Sequence, residues 1–240
     1  MANLGVKVLH PGGLRATEVL ARRCDISRDM TVLDVGCGLG STTIFLAGRY
    51  GCRVVGVDPD QNFMFEAQRA ANRKRVTDRV AFRLANARDL PFDDGSFDGA
   101  VVQAVLTFTD KLSAMTEITS KVRSGGFVGV IELAWKQPPS KEMLDKVRHT
   151  LCEVVVNAET HEGWLELLRR AGLKSVEGEL RNVDLGFRSM MDNEGVVSTL
   201  KIASKWILNQ NTRKKIREIS ELFEQMNGSL GFGVYVGRKA

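Results

Sequence analysis

The chain has 240 residues, is 43% hydrophobic and 26% charged, and carries a net charge of +5. That length suits one large α/β domain, or a core domain with a small cap, and the composition excludes a disordered or collagen-like chain. No apolar stretch approaches the ~20 residues that cross a bilayer. The start, Met1 to His10, lacks the charged opening and apolar run of a secretion signal, so the expectation is a cytoplasmic, soluble protein.

Strand and helix patterns alternate along the chain, which predicts a parallel sheet covered by helices. Leu14 to Cys24 reads as a helix and Thr31 to Val35 as a short apolar strand. After a glycine turn, Ser41 to Tyr50 is predicted helical, with Ser41 or Thr42 near its N-cap. Arg53 to Val57 is the second strand and Gln61 to Arg73 the next helix. Val80 to Leu84 and Asp98 to Gln103 are the third and fourth strands, followed by a helix from Asp110 to Val122. The turn Ser124-Gly125-Gly126 leads into a fifth strand, Phe127 to Leu133.

Beyond Pro138-Pro139 a helix begins near Ser140, with Met143, Leu144, Val147, Leu151 and Val154 on one face. Thr160 to Ala171 is another helix, with Gly172 placed to cap it. Lys174 to Val183 is the sixth strand and Phe232 to Gly237 the seventh. Between them, 187–226 has a helical pattern and is longer than an ordinary connection. It reads as a helical cap over the ligand end of the sheet, within a single domain spanning 1–240.

The four cysteines, Cys24, Cys37, Cys52 and Cys152, form no CxxC pair. Reduced thiols are expected, with no metal site. The densest basic run, Arg213-Lys214-Lys215 with Arg217, has no interleaved aromatics. It reads as a solvated helix face and argues against a nucleic-acid partner.

The segment that carries chemistry is Val32-Leu-Asp-Val-Gly-Cys-Gly-Leu-Gly-Ser41. An apolar strand runs into glycines at 36, 38 and 40 and then into a helix. Glycine permits the sharp turn and leaves no Cβ between backbone and ligand. The turn lies at the carboxyl end of the first strand, where open α/β sheets bind nucleotides. Its spacing is not the Gly-x-Gly-x-x-Gly of dinucleotide-binding proteins. Asp34, two residues before the first glycine, suits a cationic amino group and would sit badly beside a pyrophosphate.

A second signal is Gly56-Val-Asp-Pro59 at the end of the second strand. Asp58 falls about twenty residues past the glycine loop, where a carboxylate can accept from both ribose hydroxyls. Asn86, after the third strand, can donate and accept toward an adenine edge. Gln103 ends the fourth strand and faces the same crevice.

Together these four segments resemble the class I S-adenosylmethionine-dependent methyltransferases. The likeness is to the small-molecule branch that includes the ubiquinone/menaquinone-biosynthesis enzymes, and it covers roughly Thr31 to Leu133. It implies a Rossmann-like seven-stranded sheet whose last strand enters antiparallel between the fifth and sixth, with helices on both faces. By the resemblance, Asp34, Gly36, Gly38 and Gly40 flank the methionine part of S-adenosylmethionine, and Asp58 holds the ribose. Pro59, Asn86 and Ala87 lie at the adenine, and Gln103 lies near the methionine moiety. The family often has Asp where this chain has Asn86. In similar enzymes an N-terminal stretch folds over the cofactor, a role open to His10-Pro-Gly-Gly-Leu-Arg-Ala-Thr17 or equally to an ordinary turn before a helix.

The implied reaction is methyl transfer to a small-molecule acceptor by direct displacement. The acceptor, the general base and the oligomeric state stay open. Of the three histidines, His10, His149 and His161, His10 is the best placed as a base. Phe108, Trp135, Phe187, Met190 and Trp206 could line an acceptor pocket or simply belong to the core. After the fourth strand the chain reads Gln103-Ala-Val-Leu rather than the Asn/Asp-Pro-Pro-Tyr of many amino-methylating DNA and protein enzymes. A methyltransferase acting on RNA or protein, or a non-catalytic cofactor-binding protein, are the alternatives.

Overall fold

The computed structural model describes residues 10–150, 157–183, 221, 226 and 229–240. A seven-stranded sheet runs through it in the order β3-β2-β1-β4-β5-β8-β7. Its strands are β1 (Thr31–Val35), β2 (Arg53–Asp58), β3 (Val80–Leu84), β4 (Phe97–Gln103), β5 (Val122–Trp135), β7 (Leu173–Asn182) and β8 (Leu230–Lys239). β8 is antiparallel to both β5 and β7, so the last strand enters between the fifth and sixth long strands as the resemblance implies. A two-residue strand missed in the sequence, β6 (Glu159–Thr160), pairs parallel with Ala134 and Trp135 at the end of β5.

The strands read as near-continuous apolar runs because both faces are covered. Successive side chains point to opposite faces. Thus Leu33 and Val35 of β1 join Val128, Val130 and Ala134 of β5 in one core cluster. Val32 joins Phe127 and Ile131 in the other. The first cluster is covered by α4 (Lys111–Lys121) and α6 (His161–Arg170), whose Met115, Ile118, Trp164 and Leu168 are fully buried. The second is covered by α1 (Gly13–Arg23) and α2 (Ser41–Tyr50).

Helix starts follow cap chemistry. Asp60 caps α3 (Gln61–Lys74), accepting from Asn62 N–H at 2.8 Å. Asp110 caps α4 through Ser113 N–H at 2.8 Å, and Thr160 caps α6 through Gly163 N–H at 3.1 Å. The expected Ser or Thr cap on α2 is not what forms. Gly40 occupies that position in the left-handed conformation with no side-chain cap bond.

β5 is longer than predicted at both ends, with a register shift between Phe97 and Gly99 of its partner β4. The helix after Pro139 is α5 (Lys141–Thr150); Leu151 and Val154 of its predicted face lie outside the described residues. Nearly all of the predicted cap, 187–226, and the basic run at 213–217 also lie outside them. Its last residue, Met226, is buried with Trp135, Val147 and Leu230. No described helix is long and apolar enough to cross a membrane.

Candidate functional site

The glycine turn leaves β1 at the carboxyl edge of the sheet. Gly36, Gly38 and Gly40 have φ of +69°, +51° and +77°, backbone geometry that L side chains rarely adopt. Two of them differ in surroundings. A Cβ on Gly36 would lie 2.2 Å from Cγ2 of Val105, so that glycine is pressed against the turn after β4. A Cβ on Gly38 would meet nothing within 4 Å. Gly38 thus presents open backbone to the crevice, the space a ligand lying on the loop requires.

Asp58 ends β2 beside that loop and is buried. Its Oδ2 accepts from Gly38 N–H at 3.0 Å and its Oδ1 from Asp60 N–H at 3.0 Å. Burial raises its pKa, and the two N–H donors oppose the rise. A carboxylate therefore stands next to the open glycine, held by backbone bonds rather than by a counter-cation.

Asp34 is 2% exposed. Thr43 Oγ donates to its Oδ2 at 2.6 Å, and the Thr43 backbone N–H bonds it too. Asp34 therefore supplies, from the neighbouring strand, the cap that Gly40 cannot give α2. Desolvation pushes its pKa up to about 7; the Thr43 bonds oppose this and Asp58 adds to it. The sequence favoured Asp34 as a partner for a cationic group, with a turn or cap carboxylate as the plainer alternative, and the cap bond to Thr43 is what the structure shows.

Gln103 is also buried and engaged. Thr17 Oγ donates to its Oε1 at 2.9 Å, and its Nε2 donates to Thr42 Oγ at 3.2 Å. These bonds tie α1, β4 and α2 together at the carboxyl edge. His10 joins the same group. Its Nδ1 lies 3.2 Å from Pro11 O, which makes it the donor there, and its Nε2 lies 3.2 Å from Thr17 Oγ. Burial lowers the His10 pKa to about 4, so the imidazole is neutral at pH 7 and a weak base. The segment from His10 to Thr17 is thereby placed against the end of β4.

Pro59 and Asn86 are exposed on adjacent loops, and Ala87 is half-buried. Asn86 Oδ1 accepts from Arg88 N–H at 3.0 Å, an Asx turn, so its acceptor already shapes its own loop. Of the other pocket candidates, Phe108 is 69% exposed on a single 3-10 turn, Leu106–Phe108, after β4. Trp135 is buried in the core beside α5. His161 stacks on Tyr235, 5.5 Å between ring centroids. Phe187, Met190, Trp206 and Cys152 lie outside the described residues, and Cys24, Cys37 and Cys52 are free buried thiols. Among the described residues no cluster of His, Cys, Asp and Glu could hold a metal ion.

One residue of the site had no reading in the sequence. Glu132 sits in the apolar run of β5, 1% exposed, and accepts from Val105 and Leu106 N–H at 2.7 Å each. An acid inside Val-Ile-Glu-Leu-Ala-Trp was the available signal. A cleft of about 380 Å³ opens nearby, lined by Thr107, Thr109, Asp110, Lys111, Asn157 and Glu159 among others.

The open loop at Gly38, the buried acid Asp58 and the carboxylate Asp34 fit a cofactor that combines a ribose with a cationic amino acid. Comparison with known proteins agrees. A family model described as a methyltransferase domain matches residues 33–130. The uncharacterized methyltransferase YodH of Bacillus subtilis is 30% identical over 177 residues, which cover 72% of each protein. The 2-methyl-6-phytyl-1,4-hydroquinone methyltransferase of a Synechocystis strain is 31% identical over 168 residues, 64% of this chain and 49% of that one. A methyltransferase from Geobacter sulfurreducens, solved with S-adenosylhomocysteine, superposes with a TM-score of 0.74. It shares 20% identity and covers 98% of this chain and 95% of its own. The likeness to YodH covers most of both proteins, and on it the chain belongs to the class I S-adenosylmethionine-dependent methyltransferases.

Proposed function

We propose that the protein transfers the methyl group of S-adenosylmethionine to a small, apolar or aromatic acceptor by in-line displacement, releasing S-adenosylhomocysteine. The carrying observation is the pair formed by open Gly38 and the buried carboxylate of Asp58 beside it. Bound S-adenosylmethionine supplies a methyl group already activated by a positively charged sulfur, so the residues of the chain work by positioning and by excluding water.

In this reading Asp58 accepts from the ribose hydroxyls, and Pro59, Asn86 and Ala87 border the adenine. Asp34, with Gly36, Gly38 and Gly40, flanks the methionine part. Gln103, with both amide ends bonded to threonines, acts by fixing the wall near that part rather than as a free ligand. The reading names no general base: Asp58 is engaged by backbone N–H groups, Asp34 by the Thr43 hydroxyl and N–H, and the His10 pKa is lowered to about 4.

The insert 187–226 is assigned to a cap that selects the acceptor, within one domain of residues 1–240. The hydroquinone methyltransferase likeness and the exposed ring of Phe108 support an apolar or aromatic acceptor. A cytoplasmic location is part of the same reading, in keeping with three free buried thiols.

The test is turnover. The protein is incubated with S-adenosylmethionine and a panel of hydroquinones, phenols, small amines, RNA and protein extracts, and S-adenosylhomocysteine is quantified by mass spectrometry. Acceptor-dependent product with a small molecule supports the reading. Product only with RNA or protein, or cofactor binding with no turnover across the panel, overturns it.

A further inference from the structure

Glu132 is a buried acid with no part in the mechanism above, and its surroundings say why it is there. It lies on the face of β5 that carries Val130 and Ala134, inside an apolar cluster. A carboxyl group in such a row is costly unless bonded. The ladder between β4 and β5 ends at Gln103 and Ile131, and one further bond runs from Ala104 N–H to Ile131 O at 2.9 Å.

There the chain leaves the sheet. Ala104 takes φ +56°, an uncommon conformation for a residue with a side chain. The next two amides, of Val105 and Leu106, have lost their strand partner, and both donate to the same oxygen of Glu132. The side chain thus replaces the missing strand and holds the turn. The turn in turn places Val105, whose side chain occupies the space that a Cβ on Gly36 would need. A continuous line of contact runs from Glu132 through the turn to the first glycine of the cofactor loop.

We propose that Glu132 is a positioning residue for cofactor binding: by clamping the Val105–Leu106 amides it fixes Val105 against Gly36 and so sets the glycine loop. The inference rests on the cofactor reading for its consequence, though not for its geometry. Glu132 acts without touching the ligand. The charged and titratable groups facing it are Lys111 at the start of α4 and Tyr235 on β8.

Three variants test it. Glu132→Leu keeps the bulk and removes the acceptor, Glu132→Gln keeps a carbonyl oxygen that both amides can reach, and Val105→Ala leaves the clamp but removes the contact on Gly36. Two readouts are used: amide hydrogen exchange of the ligand-free protein at 33–40 and 104–108, and titration with S-adenosylhomocysteine. In Glu132→Leu, exchange rises in both segments and affinity falls about tenfold or more, the scale of losing bonds to a charged acceptor. Glu132→Gln restores both to within about threefold of the parent, a factor under ~1 kcal/mol.

Val105→Ala weakens binding while exchange changes at 33–40 more than at 104–108. The inference is overturned if Glu132→Leu folds and both loop exchange and affinity match the parent. It is equally overturned if Val105→Ala leaves 33–40 and affinity unchanged, a result that holds even where Glu132→Leu does not fold. Failure of the parent itself to bind S-adenosylhomocysteine would sink the cofactor reading, and the exchange data would then stand alone as the test of the clamp.

Discussion

Asp58 and Gly38 are bound to each other: the carboxylate at the end of β2 accepts the N–H of the middle glycine at 3.0 Å. The acid assigned to the ribose therefore also sets the conformation of the loop beneath it. Asp58→Ala should weaken S-adenosylhomocysteine binding tenfold to a few hundredfold, for loss of charge-assisted bonds of about 1.5–3 kcal/mol each. It should also speed hydrogen exchange at 36–40. Asp58→Asn is not a mild change here. Both oxygens already accept backbone N–H groups, so the Asn amide must turn its NH₂ toward one of them. Binding titration of both variants, with exchange at the loop, checks the pair; parent-like affinity in Asp58→Ala would refute the assignment.

Asp34 makes stability depend on pH. Its folded pKa is raised from 3.8 to about 7 by burial, so between those values the folded state binds a proton that the unfolded state has released. Stability from this group is complete below about pH 4 and is lost as pH rises to about 7. Asp34→Asn keeps an acceptor for Thr43 and cannot ionise. Its melting temperature should exceed that of the parent at pH 8 by about 5 °C, given that ~1 kcal/mol moves Tm by about 2–4 °C in a domain of this size. The gap should close toward pH 5. Melting curves across pH 5–8 decide it, and a pH-independent difference would show that the carboxyl is ionised throughout.

The same proton reports on function. If Asp34 meets the ammonium of the cofactor, binding favours its charged form and releases a proton near pH 7. Calorimetry of S-adenosylhomocysteine binding in buffers of differing ionisation enthalpy should detect that release. It should vanish in Asp34→Asn. No proton release in the parent would leave Asp34 as the cap of α2 alone.

Gly36 and Gly38 should respond differently to alanine. Both take left-handed φ, which costs about 1–2 kcal/mol for a residue with a Cβ. Gly36→Ala adds a collision with Val105 and should destabilise the fold further, by about 1–3 kcal/mol. Gly38→Ala meets no neighbour, so it should fold and lose cofactor affinity instead. Thermal melts and binding titrations of the two variants separate these outcomes; equal destabilisation would contradict the geometry.

The Thr17–Gln103 bond should carry measurable coupling. Thr17→Val leaves a buried amide oxygen without its donor, at a cost of about 1–3 kcal/mol. Combined with Gln103→Leu, the costs should fall short of additive by about 1 kcal/mol. A double-mutant cycle by urea denaturation measures it, and strict additivity would deny the tie between α1 and β4.

The antiparallel entry of the last strand was only what the family resemblance implied; the order of the long strands and helices and the glycine turn were legible before folding. They depend on local period, turn chemistry and a motif spaced within about seventy residues of chain. Asp34, Asp58 and Gln103 could be placed at the carboxyl edge because each ends or nearly ends a strand. Tertiary structure alone decided what those side chains do there. Asp34 caps a helix from a neighbouring strand, Gln103 spends both ends of its amide on threonines of two helices, and Glu132 replaces the strand that β4 loses at its end. Each answers a backbone or side-chain group left without a partner, and that group lies in another element, nine residues away for Asp34 and 26 to 86 for the others. A buried polar group must be satisfied by whatever packing brings near it, and periodicity cannot name that neighbour.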